Sequence, residues 1–465
     1  MRKVVLALAV LAPLLFVAVV PAQSTNVILV MSDDQGWADV GYRGHPTLKT
    51  PHLDAMATAG LRFDRWYAGA PVCSPTRGSC LTGRHPARYG IRGANQGHLP
   101  KDEPNLAIVL RGAGYRTGHF GKWHLGTLTR TERDSNRGGR PKGADHYAPP
   151  WDRGFDICFS TEAKVPTYDP MVTPAAVHGG VGKNQKPGTP YGTFYWTGAG
   201  RKVTEGLNGD DSKLIMDRAL TFIAGSVGAK KPFFCVVWFH APHLPVVAGK
   251  KHLDLYPDGD VHTRHYHGCI SALDDQLGRL RAALRTHGIA RDTMLWFCSD
   301  NGPEGRTARA PGRAAPLRGR KRSLLEGGVR VPGLLEWPAR VSKPRAVATP
   351  GSTLDYLPTV IDALGIDYKS EAAGFDGVSL LPVIDGRAEV RARPIPFVHR
   401  QARALIGDRW KLVRIGRNQP FALYDIPADP SERKDLAAAE PAVTARMKKH
   451  LAAFEASLGA RPGGK

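Results

Sequence analysis

Cysteine is scarce in this chain: six among 465 residues, with no close pairing and no metal-type spacing. That excludes a disulfide scaffold and a cysteine-based zinc site. Cys235 and Cys298 sit inside apolar, strand-like runs, the setting of buried free thiols. Beyond the first two dozen residues no segment has the uninterrupted apolar length of a transmembrane helix, which argues against stable membrane insertion. No internal repeat is present, which excludes a repeat architecture. Acidic side chains are in short supply, 42 against 64 Lys and Arg, for a net charge of +22 and a pI near 9.9. Such an excess draws polyanions, nucleic acid and sulfated polysaccharide alike, although a general bias towards Arg produces the same composition. Hydrophobic residues make up 42%, enough for a large core, so the chain is globular.

The chain opens on Arg2 and Lys3, then an apolar run over 4–19 broken by Pro13, then Val20-Pro21-Ala22. This is the order of an export signal ending at a small-residue cleavage site, expected over 1–22. A membrane anchor is the competing reading, but the run is short for a span and a polar segment follows at once. The mature chain is therefore expected to be exported, periplasmic or extracellular.

Strand-like and helix-like runs then alternate. Residues 26–31, 233–239 and 293–298 are compact apolar runs suited to strands buried on both faces. Helices are expected at 53–59, 106–110, 213–227 and 265–284, the last with Ile270, Leu273, Leu277, Leu280 and Leu284 on one face. The alternation predicts a mostly parallel sheet covered by helices on both sides. Residues 127–211 differ: rich in Gly and Pro, weakly periodic, and carrying Trp151, Tyr168, Tyr191, Tyr195 and Trp196. They read as long surface loops draped over the sheet. From about 394 short strands follow at 396–399, 404–406, 411–415 and 421–425, with an amphipathic helix at 441–458. The expected division is a signal at 1–22, a large α/β domain at 23–390 and a small α+β unit at 391–460, with a frayed tail after 458.

The densest chemistry lies in Cys73-Ser74-Pro75-Thr76-Arg77-Gly78-Ser79-Cys80-Leu81-Thr82-Gly83-Arg84. Pro75 suits the first turn of a helix and Gly83 its end, which sets Cys73 at the helix N-terminus. Backbone N–H groups and the helix dipole favour an anion there, and Arg77 lies one turn on. The competing reading is an ordinary buried cysteine beside a turn. Two further clusters, Ser32-Asp33-Asp34-Gln35-Gly36 and Ser299-Asp300-Asn301-Gly302, each follow an apolar strand. Ligands of parallel sheets bind at the carboxyl ends of strands, so both clusters can face one crevice. Three carboxylates and an amide are hard oxygen donors, suited to calcium or magnesium and poorly to zinc. Either pair alone is more often a turn or cap.

The Cys-x-Pro-x-Arg and Leu-Thr-Gly-Arg of residues 73–84 match the signature of the sulfatases. Over 26–458 the chain resembles that family, the formylglycine-dependent type I enzymes of the arylsulfatase and N-acetylgalactosamine-6-sulfatase kind. The resemblance implies that a maturation enzyme oxidises Cys73 to formylglycine. Of the two hydroxyls of the hydrated aldehyde, one attacks sulfur and the other loses its proton so that the carbon–oxygen bond collapses and expels sulfate. It implies calcium held by Asp33, Asp34, Asp300 and Asn301, with the modified Cys73 as a further ligand. Gly121-Lys122-Trp123-His124 resembles a second family motif, in which Lys122 holds a sulfate oxygen and His124 acts on the formylglycine hydroxyl. His240-Ala241-Pro242-His243 resembles a third, with His243 the general acid for the leaving alcohol. Lys321, five residues before Glu326-Gly327-Gly328, matches the second sulfate-binding lysine, and Arg77 completes the catalytic set.

The implied fold is alkaline-phosphatase-like: α/β, a mixed sheet flanked by helices, with a smaller C-terminal antiparallel sheet plus helix. Leu423-Tyr424-Asp425, Asp429-Pro430 and Glu432 resemble the family's end domain. The implied activity is sulfate ester hydrolysis, and export with a basic charge points to a sulfated carbohydrate substrate and not to nucleic acid. Arg306, Arg309, Arg313, Arg318, Arg320, Lys321 and Arg322 lie between Glu304 and Glu326 with no acid among them, and read as a positive rim that steers a sulfated polymer. The aromatic residues of 127–211 are expected to stack on sugar rings. His262, His265 and His267 are assigned to packing. Two other readings compete: a phosphoester or phosphonate monoester hydrolase of the same superfamily, and a non-catalytic polyanion-binding protein. Retention of the whole catalytic set argues against the second.

Overall fold

A computed structural model describes residues 25–175, 185–305, 310–368 and 374–459. The expected signal at 1–22, the end of the tail, and Arg306 and Arg309 lie outside the described residues.

Sixteen strands form three sheets among the described residues. In chain order they are β1 (Asn26–Ser32), β2 (Leu61–Phe63), β3 (Trp66–Tyr67), β4 (Arg116–Lys122), β5 (Ile157–Thr161), β6 (Tyr195–Trp196), β7 (Phe233–Trp238), β8 (Thr293–Ser299), β9 (Arg330–Val331), β10 (Gly333–Glu336), β11 (Arg345–Val347), β12 (Gly351–Ser352), β13 (Ile395–His399), β14 (Ala402–Ile406), β15 (Trp410–Arg414) and β16 (Ala422–Asp425). The central sheet runs β11-β2-β10-β8-β1-β7-β4-β5-β6. Its middle, β8-β1-β7-β4-β5, is parallel throughout, while β10 and β6 are antiparallel to their neighbours β8 and β5.

Both faces of this sheet are covered, as the unbroken apolar runs require. Along β1, Val27, Leu29 and Met31 pack with Leu81, Leu106 and Leu357 of the helices Cys73–Thr82, Leu106–Gly112 and Tyr356–Leu364. The alternate residues Ile28 and Val30 pack with Met56, Ile215 and Leu273 of Pro51–Ala59, Asp211–Gly228 and Val261–Thr286. Period-two alternation thus feeds two separate apolar layers. The second sheet, β13-β14-β15-β16, is antiparallel, and the helix Pro441–Gly459 covers one of its faces through Met447 and Leu451. All six cysteines are buried and free, Cys235 and Cys298 included.

Two expectations need correction. Residues 127–211 are not simply draped loops: they contribute β5 and β6 to the sheet. Tyr195 and Trp196 are fully buried, Tyr195 stacked on Phe159 at 4.0 Å and donating to Asp211, Trp196 donating to Asp134 at 2.8 Å. These aromatics are structural, so they present no face to a sugar. The strand β4, Arg-Thr-Gly-His-Phe-Gly-Lys, lacks the apolar run that marks its neighbours, yet lies inside the sheet between β7 and β5. His119 is enclosed by the rings of Trp123, Phe155 and Trp238, and Gly118 leaves the room that Phe120 and Phe222 fill.

Candidate active site

The parallel strands bring four loops to one edge. β1 and β8 are in register to their last residues, Ser32 opposite Ser299, so the Asp33-Asp34 and Asp300-Asn301 pairs leave the sheet side by side. They are tied together: Asp34 N donates to Asp300 Oδ1 at 3.0 Å, and Asn301 Nδ2 donates to Asp34 Oδ1 at 2.7 Å. β4 ends on Lys122, with His124 two residues on. Gly121 sits at φ 102°, and a Cβ there would lie 1.9 Å from Trp238 O of β7, so only glycine allows the approach that sets Lys122. β7 leads into the loop that carries His243.

The fifth contribution is the helix Cys73–Thr82, which begins at Cys73 and is closed by Gly83 at φ 64°. Every residue of this helix is buried. Cys73 Sγ lies 3.5 Å from Asp33 Oδ1. Ligand atoms of Asp33, Asp34, Cys73 and His243 all fall within 4.8 Å of one another. Arg77, one turn on, reaches Asp300 Oδ2 at 3.0 Å and Asp33 Oδ2 at 3.4 Å. Lys122 Nζ meets Asp33 Oδ2 at 2.5 Å, and Lys321 Nζ meets Asp34 Oδ1 at 2.6 Å. With His124, which shares a pocket wall with Cys73, Lys122 and His243, all ten residues singled out from the sequence are brought together. His240, by contrast, is structural: it bridges Asp211 and Thr161, 2.8 Å from each.

Three buried carboxylates packed against one another repel. Burial, then the Asp33 charge, push Asp300 up to about 7. Burial also raises Asp34 against the pull of Lys321. Burial acts the same way on Asp33, but the surrounding charges, Lys122 foremost, outweigh it and hold Asp33 well below the usual range. The Cys73 thiol is driven up by burial and then by Asp300, so as a plain thiol it keeps its proton and is a poor nucleophile. Asn301 Oδ1 is buried with no hydrogen-bond partner. An orphaned amide oxygen beside three carboxylates is a donor set that fits a hard divalent cation.

The histidines have definite tautomers. His243 Nδ1 lies 2.6 Å from Leu244 O, which only accepts, so Nδ1 carries the proton and Nε2 faces Asp34 Oδ2 at 3.7 Å. His124 Nε2 lies 2.9 Å from Asn95 Oδ1, an atom that also accepts from Asn136, so Nε2 donates and Nδ1 is left buried without a partner. Burial, followed by Lys122 and Arg77, holds His124 well below its ordinary value, so Nδ1 is a free proton acceptor.

Cys73, Lys122, His124, His243 and Lys321 line a pocket of about 430 Å³. Its outer wall holds residues the sequence did not single out: Asn95, Gln96, Asn136, Lys164, His399 and Arg400. Burial, then Lys122 and Lys321, pull the Lys164 ammonium down to about 8. No Phe, Tyr or Trp lines the pocket among the described residues. The expected positive rim is only partly free. Arg322 pairs with Glu304 at 2.6 Å, Arg320 donates to the Glu304 carbonyl at 2.7 Å, and Arg318 donates to the Glu432 carbonyl. Arg313 is exposed in an adjoining groove of about 990 Å³ that shares Lys321 and Arg322 with the pocket.

This sheet and this convergence are those of the alkaline-phosphatase-like hydrolases, and the chain belongs to the sulfatase family, whose model matches residues 25–366. It is a sulfuric ester hydrolase. A second model, N-sulphoglucosamine sulphohydrolase, C-terminal, matches 320–457. The chain is similar to N-acetylgalactosamine-6-sulfatase of Sus scrofa, 32% identical over 393 residues, covering 80% of this chain and 68% of that protein. Arylsulfatase A of Bos taurus is 32% identical over 376 residues, with 78% and 68% covered. Among solved structures, Ps i-CgsB in complex with k-i-k-neocarrahexaose superposes with a TM-score of 0.79 at 28% identity over 93% of both chains.

Proposed function

We propose that this enzyme is exported and hydrolyses a sulfate ester on a carbohydrate, using a formylglycine made from Cys73 by a maturation enzyme, and calcium. The observation that carries the catalytic reading is the meeting of a buried Cys73 at a helix start with two lysines and an oxygen donor set containing the orphaned Asn301 Oδ1. Asp33, Asp34, Asp300 and Asn301 would hold the cation, with residue 73 beside it. Calcium would supply positive charge to position the nucleophile and polarise a sulfate oxygen. Formylglycine would supply a geminal diol, one hydroxyl to attack sulfur and one to expel sulfate.

The chain's own residues do the rest. Arg77 orients Asp33 and Asp300. Lys122 and Lys321, which neutralise Asp33 and Asp34, are placed to meet a sulfate oxygen once a cation shares those carboxylates. His124, with an unprotonated Nδ1, is placed to take the hydroxyl proton. His243, with its proton on Nδ1 and Nε2 bare, would deliver a proton to the leaving alcohol from Nε2 only after taking one up there, an uptake that burial, Lys122 and Lys321 oppose and the negative charge of Asp33 and of a bound sulfate favours.

The polar wall supports the carbohydrate reading. Asn95, Gln96, Asn136 and His399 offer donors and acceptors for hydroxyls. One relative is named for N-acetylgalactosamine 6-sulfate, and the neighbour Ps i-CgsB is in complex with k-i-k-neocarrahexaose, which agrees with this reading. The test is kcat/KM on sulfated mono- and oligosaccharides against 4-nitrophenyl sulfate and 4-nitrophenyl phosphate. The account expects a glycan to rank first. An aryl sulfate ranking above every glycan contradicts the substrate class, and a phosphate ester ranking first contradicts the sulfatase chemistry.

A further inference from the structure

Non-glycine residues seldom hold positive φ, and those that do cluster where function sustains the strain. Among the described residues nine do so, with φ from 48° to 77°. Four of them, Asn95, His124, Arg322 and Arg400, line the catalytic pocket, and a fifth, Asp34, belongs to its carboxylate cluster. His124 and Asp34 are accounted for by catalysis and Asn95 by its bond to His124. The two arginines are not.

Arg400 is the more telling. It is the first residue of the two-residue turn Arg400-Gln401 that joins β13 to β14, where His399 pairs with Ala402. Such turns demand positive φ at this position and are normally filled by Gly, Asn or Asp. Arginine stands there instead, at φ 51°. Its side chain is exposed, and its guanidinium has no hydrogen-bond or ion-pair partner among the described residues. Arg322, at φ 77°, is fixed by its backbone N–H to Pro71 O at 2.8 Å and projects its guanidinium beside Glu304.

The charge count separates the two halves of the pocket. The inner set is balanced: Asp33, Asp34 and Asp300 face Arg77, Lys122 and Lys321. In the outer wall Glu304 is matched by Arg322, and no acid among the described residues lining the pocket is left to face Arg400. An excess of positive charge, the Arg400 guanidinium, therefore remains on the wall once the acids among the described residues there have been counted. A substrate presenting only the scissile sulfate to the inner set leaves that excess unmatched.

We propose that Arg400, assisted by Arg322 and Lys164, forms a second anion subsite in the wall of the catalytic pocket, so that the substrate carries a second negative group, carboxylate or sulfate, near the ester that is cleaved. The proposal rests on the sulfatase reading of the inner site and names its substrate class: a sugar unit with two anionic groups. The second subsite is presented by the C-terminal sheet, so that sheet takes part in substrate choice.

The test is binding to calcium-loaded Cys73→Ala protein, which does not turn over. The probes are the mono- and bis-sulfates of 1,2-ethanediol, 1,3-propanediol and 1,4-butanediol, compared by calorimetry. Each pair differs by one anion and contains no sugar. At least one bis-sulfate should bind about tenfold or more tighter than its monosulfate. Adding Arg400→Gly should abolish that ratio. Glycine suits the turn better than arginine, so the loss is not a folding defect. Adding Arg313→Ala, which removes the same charge from the adjoining groove, should preserve the ratio. The proposal is overturned if no bis-sulfate exceeds its monosulfate by about threefold, if the ratio survives Arg400→Gly, or if Arg313→Ala removes it equally. Hydrolysis of 4-methylumbelliferyl sulfate by the mature enzyme, run in parallel, reports on the sulfatase reading alone. To separate the two sources of the second anion, a sulfate-carboxylate of the best-binding diol length replaces the bis-sulfate.

Discussion

Asn301 gives its amide N–H to Asp34 Oδ1 at 2.7 Å and by doing so turns its own carbonyl oxygen into a buried, unpartnered acceptor. A buried acceptor left unpaired costs free energy of about 1–3 kcal/mol, which a cation at this position would recover. Asn301→Ala should therefore weaken calcium binding by about tenfold or more, the scale of a lost ligand or its support. Equilibrium dialysis with calcium measures it. Chelation should also lower the Tm of the wild type, since binding to the native state alone stabilises it. Undiminished calcium affinity in the variant, or stoichiometric zinc in the purified protein, contradicts the oxygen-donor account.

His243 acts on the leaving group, and leaving groups differ in how much they need a proton. An alkoxide expelled from a sugar needs protonation, whereas 4-nitrophenolate leaves well without it. His243→Ala should lower kcat by about 10²–10⁴-fold on a sulfated sugar and far less on 4-nitrophenyl sulfate. Equal losses on the two substrates would assign His243 to binding the sulfate instead.

Much of this site was legible in the sequence because its parts are local. The segment from Cys73 to Arg84 is a complete helix with its own start and stop signals, and it appears as Cys73–Thr82 capped by Gly83. Asp33-Asp34 and Asp300-Asn301 were readable because each follows an apolar run that only a doubly covered strand explains. β4 is not legible because Gly118, His119 and Gly121 break the apolar pattern, and those residues make sense only once Phe222, the rings of Trp123 and Trp238, and the Trp238 carbonyl are in place around them. Tyr195 and Trp196 were misread as exposed because their buried partners, Asp211 and Asp134, lie 16 and 62 residues away along the chain. Arg400 left a faint trace: a turn between two apolar strands with neither Gly nor Asn in it.

The second sheet is locked to the catalytic domain by ions, not only by packing. Lys411 of β15 is fully buried between Glu326 and Glu432, 2.9 Å from each, and Tyr67 donates to Glu326 at 2.9 Å. Lys411→Met would leave Glu432 buried without its cation and Glu326 with Arg330 alone, 3.4 Å away. The expected loss is about 3–5 kcal/mol of stability, read from denaturant midpoints at pH 7. A loss below about 1 kcal/mol would mean that water reaches the pair.

The central claim is that turnover depends on an aldehyde at position 73. Expression with graded amounts of a maturation enzyme yields preparations with different extents of conversion. Mass spectrometry of the tryptic peptide spanning Cys73 measures the fraction in each, and kcat on a sulfate ester is measured on the same samples. The account predicts a straight line through the origin, with activity proportional to the formylglycine fraction and absent at zero conversion. Full activity in protein whose Cys73 is an unmodified thiol would contradict it.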